Sequence, residues 1–260
     1  MTSETTFRHL LYERRASAAV ITLNRPEVLN ACAPATHCEV QAAITRAEDE
    51  NAVRAIVLAG AGRAFCSGSD LREVGKLTGA AARDYLKLDF ETKNRVAACT
   101  KPVIAVLHGH VAGGGFELAL ACDIRLAAED VLFSLPEITL GTIPGSGGLQ
   151  RLPQMVGLGV AKEWVMTGRR IDAQEAFRTG LVNHVYSKEA VMDAALELAA
   201  VLAEKSALAL SLAKVALDPE PPAGHGLVGA YHRLASQACH DDPMYERRAM
   251  RHGGQAQRDG

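Results

Sequence analysis

Aromatic residues are scarce in this sequence: Phe, Tyr and Trp make up 5% of 260 residues, with a single tryptophan. Platforms that stack single-stranded nucleic acid are built from such rings, so their scarcity argues against that function. A basic excess is missing too. Lys and Arg number 28 against 30 Asp and Glu, a net charge of −2, whereas a dedicated nucleic-acid binder carries a positive footprint. Uninterrupted apolar runs are also absent. The most apolar stretch, 191–217, is broken by Asp193, Glu197, Glu204, Lys205 and Lys214, so no membrane span is expected. The opening MTSETTFRHLLYERR has no apolar core of the kind a secretory signal needs. Six cysteines (Cys32, Cys38, Cys66, Cys99, Cys122 and Cys239) form no CxxC pair and lie at no zinc-like spacing from histidines. They are expected to be reduced, buried thiols of a cytoplasmic protein without a metal centre.

What is present is ordinary globular material, 48% hydrophobic and 22% charged, long enough for one large domain or one domain with an appendage. Ser17–Leu23 is an apolar run stopped by Asn24-Arg25-Pro26 and reads as a strand. Thr36–Glu50 carries Val40, Ala43, Ile44 and Ala47 at helical spacing. Strands are expected at Val53–Ala59, Pro102–Leu107 and Ile124–Ala128, with a further apolar segment at Val131–Leu135. A polar, alanine-rich helix is expected over Ala80–Ala98, and glycine-rich segments at 113–115 and 145–148 open two more. Recurrent strand, turn and helix predict an α/β fold with strands buried on both faces. From about Asp172 the character becomes helical. Stretches 188–217 and 225–240 are Ala- and Leu-rich, and the final ten residues, 251–260, have no apolar period and are expected to fray.

Two glycine-rich places fail as nucleotide or hydrolase motifs. Gly60-Ala61-Gly62 follows a strand, but Phe65 stands where a dinucleotide fingerprint needs a small residue. Gly145-Ser146-Gly147-Gly148 lacks the Gly-Lys-Ser/Thr of a P-loop, and Pro144 stands where a nucleophile elbow around Ser146 needs glycine. Three other segments are more informative. In His108–Ala119, three consecutive glycines precede Glu117; glycines at a helix start let backbone N–H groups approach a ligand, although a capping glutamate beside a flexible turn fits equally. Phe65-Cys66-Ser67-Gly68-Ser69-Asp70-Leu71 reads either as a turn exposing N–H groups or as an ordinary strand-to-helix turn with Asp70 as N-cap. Glu137, among Phe133, Leu135 and Ile138, is either a solvent-facing strand residue or a carboxyl group in a dry pocket.

Taken together these segments resemble the crotonase (enoyl-CoA hydratase/isomerase) superfamily, most closely its hydratases. The resemblance runs from Leu23-Asn24-Arg25-Pro26 and Leu29-Asn30-Ala31 through Phe65–Leu71, Gly113–Asp123, Pro136-Glu137 and Gly141–Gly148. It continues in Met166–Arg170 and in Ala176 with Gly180-Leu181-Val182. It implies a spiral core of ββα turns over 1–195, carrying an acyl-CoA site, and a helical C-terminal region over 196–260 through which relatives form trimers, often stacked as hexamers. It also implies an oxyanion hole of two backbone amides, carried onto Ser67 and Gly114. Two carboxyl groups follow, Glu117 as the base that activates water and Glu137 as the acid that protonates C2. Substrate contacts are expected from Ser67, Gly68, Ser69, Asp70, Leu71, Gly114, Leu29 and Gly145, with the pyrophosphate of CoA near the Arg25–Asn30 turn, where acidic Glu27 offers it no ion pair. The implied reaction is hydration of a trans-2-enoyl-CoA to a 3-hydroxyacyl-CoA, as in fatty-acid β-oxidation, with coenzyme A as part of the substrate and no separate cofactor. His108 and His110, where relatives more often carry Asn and an apolar or aromatic residue, are expected to pack or to support the site from behind its lining, not to bind a metal. Rival readings are a double-bond isomerase or specialised dehydratase on the same fold, a non-catalytic or RNA-associated homologue, and a nicotinamide dehydrogenase resting on the defective Gly60 fingerprint alone.

Overall fold

The computed structural model describes residues 7–217. The first strand, β1 (Leu10–Arg15), pairs antiparallel with β2 (Ala18–Leu23) and forms a sheet edge whose outer residues Glu13, Arg14 and Arg15 are charged, which blunts edge-to-edge pairing. Helix α1 (Pro34–Asp49) starts with proline at its first position, where no intrahelical N–H is needed, and buries Val40, Ala43, Ile44 and Ala47 on one face. The chain continues through β3 (Ala55–Gly60), β4 (Ala64–Cys66), the single turn α2 (Leu71–Val74) and the long α3 (Gly79–Ala97), which lies against α1. Next come β5 (Val103–Leu107), β6 (His110–Ala112), α4 (Gly114–Leu120), β7 (Ile124–Ala128), β8 (Leu132–Ser134) and α5 (Glu137–Leu140). Helices α6 (Gly148–Val156) and α7 (Leu158–Thr167) precede β9 (Ile171–Asp172), α8 (Ala173–Arg178), β10 (His184–Tyr186), α9 (Val191–Ala203) and α10 (Ala207–Leu217).

Two sheets result. The larger has the order β1-β2-β3-β5-β7-β10 and the smaller β4-β6-β8-β9. Each pass of the chain leaves one strand in each sheet (β3 with β4, β5 with β6, β7 with β8) before a helix returns it, which is the expected ββα spiral. From β2 onward the large sheet is parallel, and its central strands β3 and β5, buried on both faces, read as continuous apolar runs rather than alternating ones. One face packs Val20, Val57, Ile104 and Leu126 against Val191, Ala195 and Ala199 of α9. The opposite face closes over Phe65, Phe116, Phe133 and Trp164, each contributing roughly 1.5–3 kcal/mol of apolar burial. The expected boundary between 195 and 196 falls inside α9, because this helix covers the sheet and belongs to the core. The helical stretch 225–240 and the tail 251–260 lie outside the described residues. Cys32, Cys66, Cys99 and Cys122 are buried free thiols as expected, Cys38 is exposed, and Cys239 lies outside the described residues.

Candidate active site

In parallel sheets, chain segments leaving the C-terminal strand ends are free to build a site. Here β4, β6 and β8, parallel to one another, end at Cys66, Ala112 and Ser134, and the segments that follow carry Ser67–Asp70, Gly113-Gly114 and Pro136-Glu137. They converge on a cavity of about 230 Å³ that also takes in Gly145 and Ser146 before α6. Close approach requires glycine at two points. Gly68 has φ +102°, and a Cβ there would stand 3.0 Å from the Ala112 carbonyl and 3.3 Å from the Gly114 nitrogen. Gly113 has φ +52°, and a Cβ would meet Glu137 Oε1 at 3.1 Å.

Glu117, on the first turn of α4, is buried. Its Oε1 accepts the backbone N–H groups of Ser146 at 2.7 Å and Gly148 at 2.8 Å, so it reaches across to α6 rather than capping its own helix. Burial and the nearby Asp89 charge push its carboxyl up to about 7, against the pull of Lys93 and the two amides. Glu137 is the first residue of α5, not a strand residue, and its side chain turns into the cavity. Its Oε2 is out of contact with solvent and has no hydrogen-bond partner among the described residues. Burial and the Glu117 charge push this carboxyl up to about 8.

One expected amide donor is corrected. The Ser67 N–H donates to the Leu29 carbonyl at 3.0 Å and is therefore consumed by the fold. Leu29 presents that carbonyl from a left-handed turn, φ 53°, after the short 3₁₀ helix Pro26–Val28. Two residues on, the Ser69 N–H has no acceptor among the described residues, and its hydroxyl lies 3.8 Å from where a Gly114 Cβ would stand. Gly114, first residue of α4, has an N–H with no intrahelical partner by position. Among the amides of these two cavity-lining segments, those of Ser69 and Gly114 are unbonded.

Of the other expected site residues, Ser67, Gly68, Leu71 and Gly145 line the cavity. Asp70 and Leu29 do not. Asp70 caps α2, accepting from Arg72 N at 3.2 Å, and pairs with Arg25 at 2.9 Å. Arg25 also reaches Glu73 and the Ala31 carbonyl, so its charge is held within the protein, and Glu27 is exposed. The Gly60–Gly62 loop is tied down by Asn30, whose amide donates to the Ala61 carbonyl at 2.8 Å. His108 Nε2 is 3.1 Å from the Gly62 carbonyl, a packing role, and burial lowers its pKa; His110 is exposed.

Sequence reasoning missed Tyr85 and Asp89 of α3, which line the cavity, and Lys93 behind them. Their i, i+4, i+8 spacing was the available signal. Among the described residues no cluster of three or more His, Cys, Asp or Glu could hold a metal ion, and no helix is long and apolar enough to cross a membrane.

A family model for enoyl-CoA hydratase/isomerase matches residues 13–221. A crotonyl-CoA hydratase of Syntrophomonas wolfei is 38% identical over 213 residues, 82% of each chain. A short-chain-enoyl-CoA hydratase of Clostridium acetobutylicum is 37% identical over 211 residues, 81% of each. The crystal structure of an enoyl-CoA hydratase from Bacillus anthracis superposes with a TM-score of 0.80 at 35% identity, covering 94% of this chain and 96% of that one. With the spiral of two sheets and the cavity at the ends of the inner strands, these matches identify the chain as a member of the enoyl-CoA hydratase/isomerase family.

Proposed function

We propose that the protein is an enoyl-CoA hydratase, adding water across the double bond of a trans-2-enoyl-CoA to give a 3-hydroxyacyl-CoA. The observation that carries this reading is the pair of buried carboxyl groups, Glu117 and Glu137, in one cavity with the unbonded amides of Ser69 and Gly114. Attack of water at C3 drives negative charge onto the thioester oxygen. Fixed N–H groups aimed at that oxygen stabilise the enolate, each by about 3 kcal/mol. Glu117, whose Oε1 accepts two backbone N–H groups, is the carboxylate that takes the proton from water; Glu137, whose Oε2 has no partner among the described residues, keeps its proton and delivers it to C2. Ser67 lines the cavity and supplies no oxyanion donor. Leu71, Val74, Leu86, Leu140 and Ile143 supply an apolar wall suited to an acyl chain.

The proposal extends to a cytoplasmic enzyme of fatty-acid β-oxidation, working without a cofactor besides the CoA of its substrate. It also includes assembly into homotrimers or hexamers. The exposed Leu208, Leu212, Val215 and Leu217 of α10 support the assembly, since apolar side chains so open to water favour burial against another copy.

The test is hydration of crotonyl-CoA by the full chain and by Glu117→Gln and Glu137→Gln. Each variant is expected to lose at least about 100-fold in kcat with KM changed little, because both keep the shape of the site and lose its proton chemistry. Turnover by the double variant at the unmodified rate would sink the assignment.

A further inference from the structure

Helix α3 turns Tyr85, Asp89 and Lys93 toward the site, four residues apart along one face, and all three are buried. The Asp89 carboxylate pairs with Lys93, accepts the Ser146 hydroxyl, and meets His37 Nε2 of α1 at 3.1 Å. Burial pushes the His37 imidazole down to about 4, so Lys93 is the cation of this group at neutral pH. Ser146 in turn donates its backbone N–H to Glu117 Oε1. At the other end of the stripe, the Tyr85 hydroxyl donates to Ser69 Oγ at 2.7 Å. A buried ion pair is commonly no more stabilising than apolar residues of the same volume, so core stability alone gives no reason for this stripe. What it touches does give one: Asp89 reaches Glu117 through Ser146, and Tyr85 touches Ser69, whose amide is assigned to the oxyanion.

We propose that Tyr85, Asp89 and Lys93 form a positioning unit that braces both halves of the catalytic machinery from a single helix. Asp89 fixes the Ser146 turn and through it the Glu117 carboxylate, Lys93 holds Asp89 ionised, and Tyr85 fixes the Ser69 turn that carries one oxyanion amide. The inference rests on the hydratase reading of the cavity.

The unit also sets the charge around Glu117. That carboxyl is faced by Asp89 and Lys93 from α3, by Glu137 from α5, and by the Ser146 and Gly148 amides at the start of α6. Asp89 and Lys93 are themselves faced by His37 from α1, and Lys93 by Cys32 from the segment before it. The Asp89 push on Glu117 is larger than the Lys93 pull. Neutralising both therefore moves the Glu117 titration to lower pH.

The test compares crotonyl-CoA hydration by the full chain, by Asp89→Asn/Lys93→Met, and by a cycle of Tyr85→Phe, Ser69→Ala and the two combined. For the charge-pair variant we expect kcat lower by about 10-fold or more, KM within about threefold, and the acid limb of kcat/KM moved to lower pH. Tyr85→Phe is expected to lower kcat about 5–20-fold, and the combined variant to be no worse than the poorer single one, since Tyr85 acts through the Ser69 hydroxyl. A folded charge-pair variant with unchanged kcat and acid limb overturns the proposal; so do Tyr85 and Ser69 effects that multiply, or a Tyr85→Phe enzyme as fast as its parent. Tyr85→Phe removes one oxygen atom, so this cycle decides the matter should the charge-pair variant fail to fold. Absence of hydration by the unmodified chain would refute the hydratase reading, whereas an active parent with unaffected variants would remove only the positioning unit.

Discussion

Replacing Glu137 by glutamine should stabilise the protein in alkaline solution while abolishing its activity. In the folded chain the Glu137 carboxyl titrates at about 8 against an ordinary value of 4.5, because it is shielded from water and faces Glu117. A carboxyl whose folded pKa is raised holds its proton longer in the folded state than in the unfolded one. Stability relative to a neutral side chain therefore falls as pH climbs from the unfolded value, and stops falling above the folded one. At about 1.4 kcal/mol per pH unit, the interval from 4.5 to about 8 sets a ceiling of roughly 5 kcal/mol. Glu137 as a residue is half-buried, and solvent at its exposed side screens part of this, which leaves about 2–3 kcal/mol. Glutamine has the shape of the protonated acid and never charges. Urea unfolding at pH 5, 7 and 9, at matched protein concentration, reads the difference. With a slope of about 3 kcal/mol per molar urea, the variant midpoint should lead its parent by about 0.7–1 M at pH 9 and by little at pH 5. Equal differences at pH 5 and pH 9, or a less stable variant at pH 9, would refute the reasoning.

The same two carboxyl groups predict a bell-shaped pH dependence of kcat/KM for crotonyl-CoA. Activity rises through about 7 as the carboxyl pair loses its first proton and falls through about 8 as it loses the second, and these apparent values belong to the pair. A profile flat from pH 6 to 9 contradicts this. Gly148→Ala tests the seat of Glu117. Its new methyl would stand 2.9 Å from Glu117 Oε1 and displace it from the Gly148 N–H, a charge-assisted bond of about 1.5–3 kcal/mol, so kcat should drop about 10–100-fold at little cost in KM. Steady-state kinetics that leave kcat unchanged would mean the carboxylate does not depend on that amide.

Where one local rule dominates, the sequence is a reliable guide to the structure. The strand Val103–Leu107 lies within one residue of its expected bounds, because a buried parallel strand needs a continuous apolar run and little else. The glycine run does open α4, and Asp70 does cap α2, since both depend on neighbours within a few residues. The Ser67 amide depends on a contact 38 residues away in the chain. The left-handed Leu29 turn brings a carbonyl to it, and nothing within Phe65–Leu71 tells Ser67 from Ser69 as the unbonded donor. The α3 stripe was hidden for a different reason. Tyr85, Asp89 and Lys93 carry the spacing of a core face in residue types that ordinarily mark a wet one, and only the packing of α1, α4 and the Ser146 turn around them makes that face dry.

The proton inventory of the cavity ties these strands of the argument together. Three carboxyl groups, Asp89, Glu117 and Glu137, share a space in which, among the described residues, the close cation is Lys93. Full ionisation of all three would leave uncompensated negative charge in a poorly solvated place, which burial forbids. Asp89 keeps its charge because Lys93 and the Ser146 hydroxyl hold its carboxyl below the usual range against burial. Glu117 comes next, with two backbone N–H groups on one oxygen. Glu137 comes last, with an Oε2 that no donor reaches among the described residues. The order of ionisation expected from these donors runs from Asp89 to Glu117 to Glu137, in keeping with the proposed roles of Glu117 as base and Glu137 as acid. A variant that handed Glu137 a donor, or took those of Glu117 away, would narrow or reverse the gap between the two groups and with it the direction in which the proton travels.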